Sequence, residues 1–345
     1  MSEADSLNAK PDRKRVTMMD VAEASGVSYQ TVSRVINNHP SVAPGTRERV
    51  LEAIQKLNYR PNKAARSLAT RQSHTLAVIT YNMRFFGPTQ MIVNIEQSAR
   101  EAGYDLIFSN FDPLRDSDVG AIADSVLQWS VDGILIIAQV ASAAYDELVT
   151  QFRDIPLIQI DNEPGATTPS IIVNQYTGSR AITQHLIDLG HRDICEITGP
   201  RYAFGALARH NAWQDALADA DLSPLPSYEG DWSAASGYTI MQRLLAECHF
   251  TALVAGNDQM ALGAISALRE HGLRVPEDVS VVGFDDIPEA AYFAPPLTTV
   301  RQDFNELGRQ GLAYLVELIQ VPGTLHEQRV IAPQLVMRGS TCPPQ

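Results

Sequence analysis

Residues 17–38 read TMMDVAEASGVSYQTVSRVINN, the pattern of two short helices about a glycine. Thr17 can accept from the free amides of a first helical turn. The helix it opens is expected to run to Ser25, with Val21, Ala22 and Ala24 on its inner side. Gly26 can take the left-handed backbone that ends a helix at a tight turn. Ser28 is the next cap, and its helix runs through Asn37 with Val32, Val35 and Ile36 on one face. The other face presents Tyr29, Gln30 and Arg34. In a helix-turn-helix the second helix enters the major groove of DNA and its first residues reach base edges. Gln pairs two-pronged with adenine and Arg with guanine, and Tyr can meet a base edge or a thymine methyl. Thr31 and Ser33 are candidate phosphate contacts, as are the amides at the helix N-terminus. A generic three-helix domain with a polar surface would share this spacing.

Pro44 to Leu57 reads as a third helix, with Val50, Leu51, Ile54 and Leu57 inward. Asn58-Tyr59-Arg60-Pro61 breaks the pattern, and NKAARSLAT (62–70) fits a further short helix with an exposed Leu68. Residues 1–15 are polar and mixed in charge, the composition of a disordered tail. The chain as a whole carries a net charge of −13. Residues 1–72 nevertheless hold 12 Lys/Arg against 7 Asp/Glu, and the remainder 15 against 33. A small basic module joined to a large acidic one implies that only the first touches a polyanion.

From His74 onward, apolar runs of strand length alternate with helical stretches: TLAVIT, YDLIFSN, GILIIAQ and PLIQID, then SIIVN, DICEITGP, YEGDW, ALVAGND and VSVVGFDD. Continuous apolar strands between helices mean parallel sheets covered on both faces. There are too many units for one modest sheet, so two α/β subdomains are expected. Cys195, Cys248 and Cys342 have neither metal-ligand spacing nor a disulfide-scaffold pattern, which fits a reducing cytoplasm. The N-terminus has no apolar core of a signal peptide, and GILIIAQVASAA (133–144) is too short to span a bilayer. A sugar-binding transport protein would need export and no basic module, so that reading is disfavoured. No H-E-x-x-H, G-x-S-x-G or G-x-G-x-x-G occurs, so enzyme, metal and cofactor signals are absent.

The motif T-x-x-D-V-A-x-x-[AS]-G-V-S-x-x-T-V-S-R-V-[IL]-N in residues 17–37 resembles the headpiece of the LacI/GalR family of transcriptional repressors. The resemblance continues through VAPGTRERVLEAIQKLNYRPNKAARSLAT, and through HLIDLGHRDICEITGP, NDQMALGAISALREHGLRVPEDVSVVGFDDIP and PPLTTVRQDFNELG, to about residue 341. It implies an all-α helix-turn-helix headpiece (16–61), a hinge helix and linker (62–72) and an α/β core similar to type I periplasmic binding proteins. In that core, 73–173 and 302–331 would form one subdomain of parallel strands, and 174–301 and 332–341 the other. It implies DNA contacts from Thr17, Ser28, Tyr29, Gln30, Thr31, Ser33, Arg34 and Asn37. Leu68 would wedge into the minor groove.

The match is closer to the lactose-repressor branch in GDWSAASGY and FFGPTQM. By that resemblance Phe85, Phe86, Asp161, Arg209, Trp232, Asn257, Asp285, Gln302 and Phe304 hold a small sugar, such as a galactoside or glucoside. Polar groups would fix its hydroxyls, and aromatic groups would cover its C–H faces. A strand-end Asp is also a common cap or turn residue, which is the expected part of Asp286 and of Asp258. Departures from the branch are Phe85 and Phe86 in place of a leucine and a histidine, Ala203 and Gly205 in place of serines, and Ile137 or Ala138 in place of an asparagine. The expected partners are palindromic operator DNA, a sugar and a second copy of the chain. No leucine-heptad helix follows the last strand, so the assembly is expected to stop at a homodimer. The resemblance leaves open whether the ligand releases DNA or promotes its binding.

Overall fold

The computed structural model describes residues 16–37, 39–60, 72–81, 83, 85–112, 119–137, 142–321 and 323–345. The chain divides into two compact units, Met1–Ser73 and His74–Gln345.

In the first unit, α1 (Met18–Ser25), α2 (Tyr29–Ile36) and α3 (Pro44–Lys56) enclose Val21, Val32, Val35, Val50, Ala53 and Tyr59. Thr17 caps α1 in a reciprocal box with Asp20, and Gly26 ends it at φ 64°, ψ 34°. The Ser28 side chain accepts from the Thr31 amide to start α2. Two inward assignments do not hold. Ala24 is exposed and Ser25 is buried in its place, its hydroxyl donating to the Val21 carbonyl at 2.6 Å. Leu51 is 50% exposed. Val50, Ala53, Ile54 and Leu57 follow the i, i+3, i+4, i+7 stripe, which leaves Leu51 a quarter-turn off the core.

The second unit holds two parallel sheets. β1 (Thr75–Thr80), β2 (Asp105–Asn110), β3 (Gly133–Ile137), β4 (Leu157–Ile160) and β5 (Ser170–Val173) join a late strand, β11 (Gln328–Ile331), in the order β11-β5-β4-β3-β1-β2. Helices α4 (Phe86–Glu101), α5 (Val119–Leu127), α6 (Ala143–Gln151) and α11 (Phe304–Gln320) accompany them. The five residues of β3 are all buried, because apolar side chains cover both faces of the sheet. The second sheet runs β7 (Ser227–Glu229), β6 (Ile194–Thr198), β8 (Ala252–Ala255), β9 (Ser280–Val282), with α7 (Gln175–Asp188), α8 (Phe204–Asp219), α9 (Ala234–Glu247) and α10 (Asp258–Glu270).

The chain passes between the two lobes three times: after β5, after β10 (Thr299–Arg301) and between β11 and β12 (Gln334–Val336). β10 and β12 pair antiparallel, with Thr299 opposite Val336 and Arg301 opposite Gln334. Asp286 clasps this pair, accepting from Arg301 at 2.7 Å and from Arg338 at 2.6 Å. Among the described residues no helix is long and apolar enough to cross a membrane.

Candidate functional site

Parallel sheets present ligands at the carboxyl ends of their strands. In the second unit those ends enclose a cleft of about 270 Å³. Phe85 and Phe86 enter it from the turn into α4, and Phe304 from the start of α11. Phe86 and Phe304 meet edge-to-face at 5.8 Å between ring centres. Their approach depends on Gly87, where a Cβ would lie 2.9 Å from the Phe304 ring.

Trp232, Asn257 and Gln259 come from the other lobe, at the N-termini of α9 and α10. These helix ends meet because the helices touch backbone to backbone. A Cβ on Gly237 would lie 2.2 Å from the Met260 carbonyl oxygen, and one on Gly263 1.9 Å from that of Ala234. Asn257 caps α10 through Met260 N and donates to the Trp232 carbonyl at 3.1 Å and to Gln259 Oε1 at 2.8 Å. The cap is therefore Asn257 and not Asp258. Asp258 is fully buried instead, accepting from Thr299 Oγ1 at 2.5 Å and from the Ile287 amide at 2.8 Å. Burial first, then the nearby Asp285 charge, raises its pKa well above the usual carboxylate value.

The polar floor is a linked set. Gln302 Nε2 donates to Asp285 Oδ1 at 2.6 Å. Gln175 Nε2 donates to Gln302 Oε1 at 2.6 Å and to Asp161 Oδ1 at 3.4 Å, and Arg209 Nε donates to Gln175 Oε1 at 2.9 Å. Arg209 also donates to the Gly256 carbonyl and lies 3.8 Å over the centre of the Phe284 ring. Burial lowers the Arg209 pKa, although Asp285 and Asp161 oppose the shift. Burial pushes Asp285 up to about 6, against the pull of Arg209 and Gln302.

Eight of the nine sequence-predicted cleft residues line this space; Asp161 lies behind it, reached through Gln175. Sequence reasoning missed Gln175, whose place near the start of α7 looks like that of any polar first-turn residue. Asp161, Trp232 and Asp285 have φ of 63°, 71° and 109°. Such backbone costs about 1–3 kcal/mol where it is sparsely populated, and it gathers at ligand sites. Packing holds the least tolerant of the three, Trp232: a Cβ on Gly199 would fall 2.0 Å from its ring.

In the first unit Tyr29, Gln30 and Arg34 are exposed, with no side-chain hydrogen bond among the described residues. Thr17, Ser28 and Thr31 are engaged in the caps, and Asn37 Nδ2 donates to Ser33 Oγ at 3.5 Å. Leu68 and Ala138 lie outside the described residues.

Residues 17–62 match the sequence family "Bacterial regulatory proteins, lacI family", and residues 183–341 the "Periplasmic binding protein-like domain". The lactose operon repressor of Escherichia coli (strain K12) is 36% identical over 332 residues, covering 96% of this chain and 92% of that protein. The HTH-type transcriptional repressor PurR of Haemophilus influenzae (strain PittEE) is 39% identical over 334 residues, covering 94% and 98%. Among solved structures, the lac repressor dimer bound to operator and the anti-inducer ONPF aligns with a TM-score of 0.88 at 36% identity, over 95% of this chain and 100% of that one. The transcriptional regulator CelR in complex with cellobiose aligns at 0.71 and 29%, over 94% and 100%. With this likeness running through headpiece and core alike, the chain belongs to the LacI family of DNA-binding transcriptional repressors.

Proposed function

We propose that this repressor is controlled by a neutral sugar bound in the cleft, and that it works in the cytoplasm as a homodimer on a palindromic operator. The observation that carries the sugar is an opposed charge pair in an aromatic cleft: Arg209 and Asp285 face each other at 3.7 Å in a space that Phe85, Phe86, Phe304 and Trp232 also line. A pyranose offers apolar C–H faces for the rings and hydroxyls that both donate and accept. An anionic ligand would meet Asp285, with Asp161 close behind. Arg209, Asn257, Asp285 and Gln302 would hold the hydroxyls, with Asp161 acting through Gln175. Similarity to a cellobiose-bound regulator supports this reading.

On DNA, Tyr29, Gln30 and Arg34 would read base edges. Thr17, Ser28, Thr31, Ser33 and Asn37 would hold phosphates, and Leu68 would wedge into the minor groove. A two-fold dimer doubles the few base contacts that one headpiece offers.

A second reading is a purine co-repressor, favoured by 39% identity to PurR and by flat aromatic walls that also suit a base. Fluorescence-detected operator binding, titrated with hexoses and their glycosides and separately with purine bases, decides between them. The sugar reading expects operator release by a glycoside and no response to purines. Strengthened operator binding with a purine base would replace it.

A further inference from the structure

Cys195 and Cys248 are 53 positions apart, and the fold brings their sulfur atoms to 3.8 Å. Both thiols are free. Cys195 is fully buried, on the face of β6 that packs against α9 and α10. Cys248 follows the last residue of α9 in extended backbone, at φ −151°. It lines an open cavity of about 560 Å³ on the second lobe, beside His191, His249, Glu277 and Asp278. Cys248 is half-buried, its thiol donating to the Leu244 carbonyl at 3.6 Å, and of the pair only Cys248 lines this cavity, with Cys195 fully buried behind it. A disulfide needs the sulfurs at about 2.05 Å, so closure takes a side-chain movement of less than about 2 Å. The Cys342 thiol instead donates to the Pro276 and Pro343 carbonyls at 3.3 Å.

We infer that Cys195 and Cys248 form a reversible oxidation site for small hydroperoxides. The Cys248 thiolate attacks the distal peroxide oxygen, the O–O bond breaks, and the alkoxide or hydroxide leaves and takes up a proton. Cys248 becomes a sulfenic acid, and the peroxide supplies both oxidising equivalents. The Cys195 sulfur then attacks the Cys248 sulfur. Its thiol proton goes to the departing hydroxide, and a disulfide and water result. The order of events follows from access, and burial also raises the Cys195 pKa and keeps that group a thiol until it resolves the intermediate. The disulfide fastens the end of α9 to β6, the two elements whose opposite ends bring Trp232 against Gly199.

The test uses the full chain, reduced and then treated with hydrogen peroxide, folded or in urea. Trypsin leaves the cysteines on three separate peptides, 193–201, 244–269 and 339–345, so each pairing has its own mass. The expected result for folded protein is a loss of two hydrogens, carried by a Cys195–Cys248 peptide pair at least tenfold above any Cys342 pair. A dithiol reductant reverses it, and urea abolishes the preference. Cys342→Ser should leave the product unchanged, and Cys195→Ser should leave a sulfenic acid on Cys248 that dimedone traps. Three outcomes overturn the inference: Cys248 running on to sulfinic acid unpaired, Cys342 pairing equally in folded protein, or no reaction at Cys248.

Discussion

Arg209 Nη2 and Asp285 Oδ1 stand 3.7 Å apart, largely buried, oppositely charged and just beyond hydrogen-bond length. Asp285 therefore keeps accepting capacity for a ligand hydroxyl, while Gln302 fixes its orientation. Asp285→Asn preserves shape and removes the charge. The variant should fold and bind operator, yet lose about 1.5–3 kcal/mol of effector affinity, the worth of a charge-assisted hydrogen bond. Operator release measured against effector concentration checks this. An unchanged release curve would place the effector elsewhere.

The same carboxyl predicts a pH dependence. Burial raises it to about 6, above its ordinary value near 4. Between those values the folded protein holds a proton that the unfolded chain releases, so this group's contribution to stability falls as pH rises through that window. A sugar hydroxyl donating to the carboxylate binds the ionised form. Sugar affinity should therefore rise with pH to about 6 and level off above it, weakening about tenfold per unit below. Calorimetry across that range, with Asp285→Asn as the flat control, measures it.

Base reading should reside in the exposed face of α2. Gln30→Ala and Arg34→Ala should each relax discrimination at particular operator positions, at a cost of roughly 1–3 kcal/mol. Binding measured against a set of single-base operator variants tests this. Equal loss on operator and random DNA would assign these side chains to the phosphates instead.

Gly263 should tolerate no larger residue. Its added Cβ would fall 1.9 Å from the Ala234 carbonyl oxygen and 2.7 Å from the Tyr238 amide. Gly263→Ala must part α9 from α10, destabilising the second lobe by roughly 3 kcal/mol or more. Because Trp232 and Asn257 ride on those helix ends, effector affinity should fall as well. Urea unfolding followed by Trp fluorescence, together with effector titration, reports both.

Local rules made much of this legible. Thr17, Gly26 and Ser28 each satisfy a backbone need within four residues, so the headpiece helices can be read directly. Strand runs such as GILII announce their burial, and polar residues just past strand ends mark the cleft. What escaped depends on pairs distant in sequence. Gln175 matters only because Asp161, Arg209 and Gln302 converge on it. Gly199, Gly237 and Gly263 look like ordinary glycines until the facing ring or backbone is known. Leu51 is as apolar as its neighbours, so hydrophobicity alone points it inward; the turn angle of α3 puts it outside.

β10 and β12 pair inside the second lobe, where Thr298 and Arg301 bridge to Val282 and Asp285, so two of the three lobe crossings leave that lobe from one point. Segments that start from one paired base cannot shift independently there without breaking its ladder of bonds. A displacement that enters the second lobe by one of these crossings is therefore shared by the other.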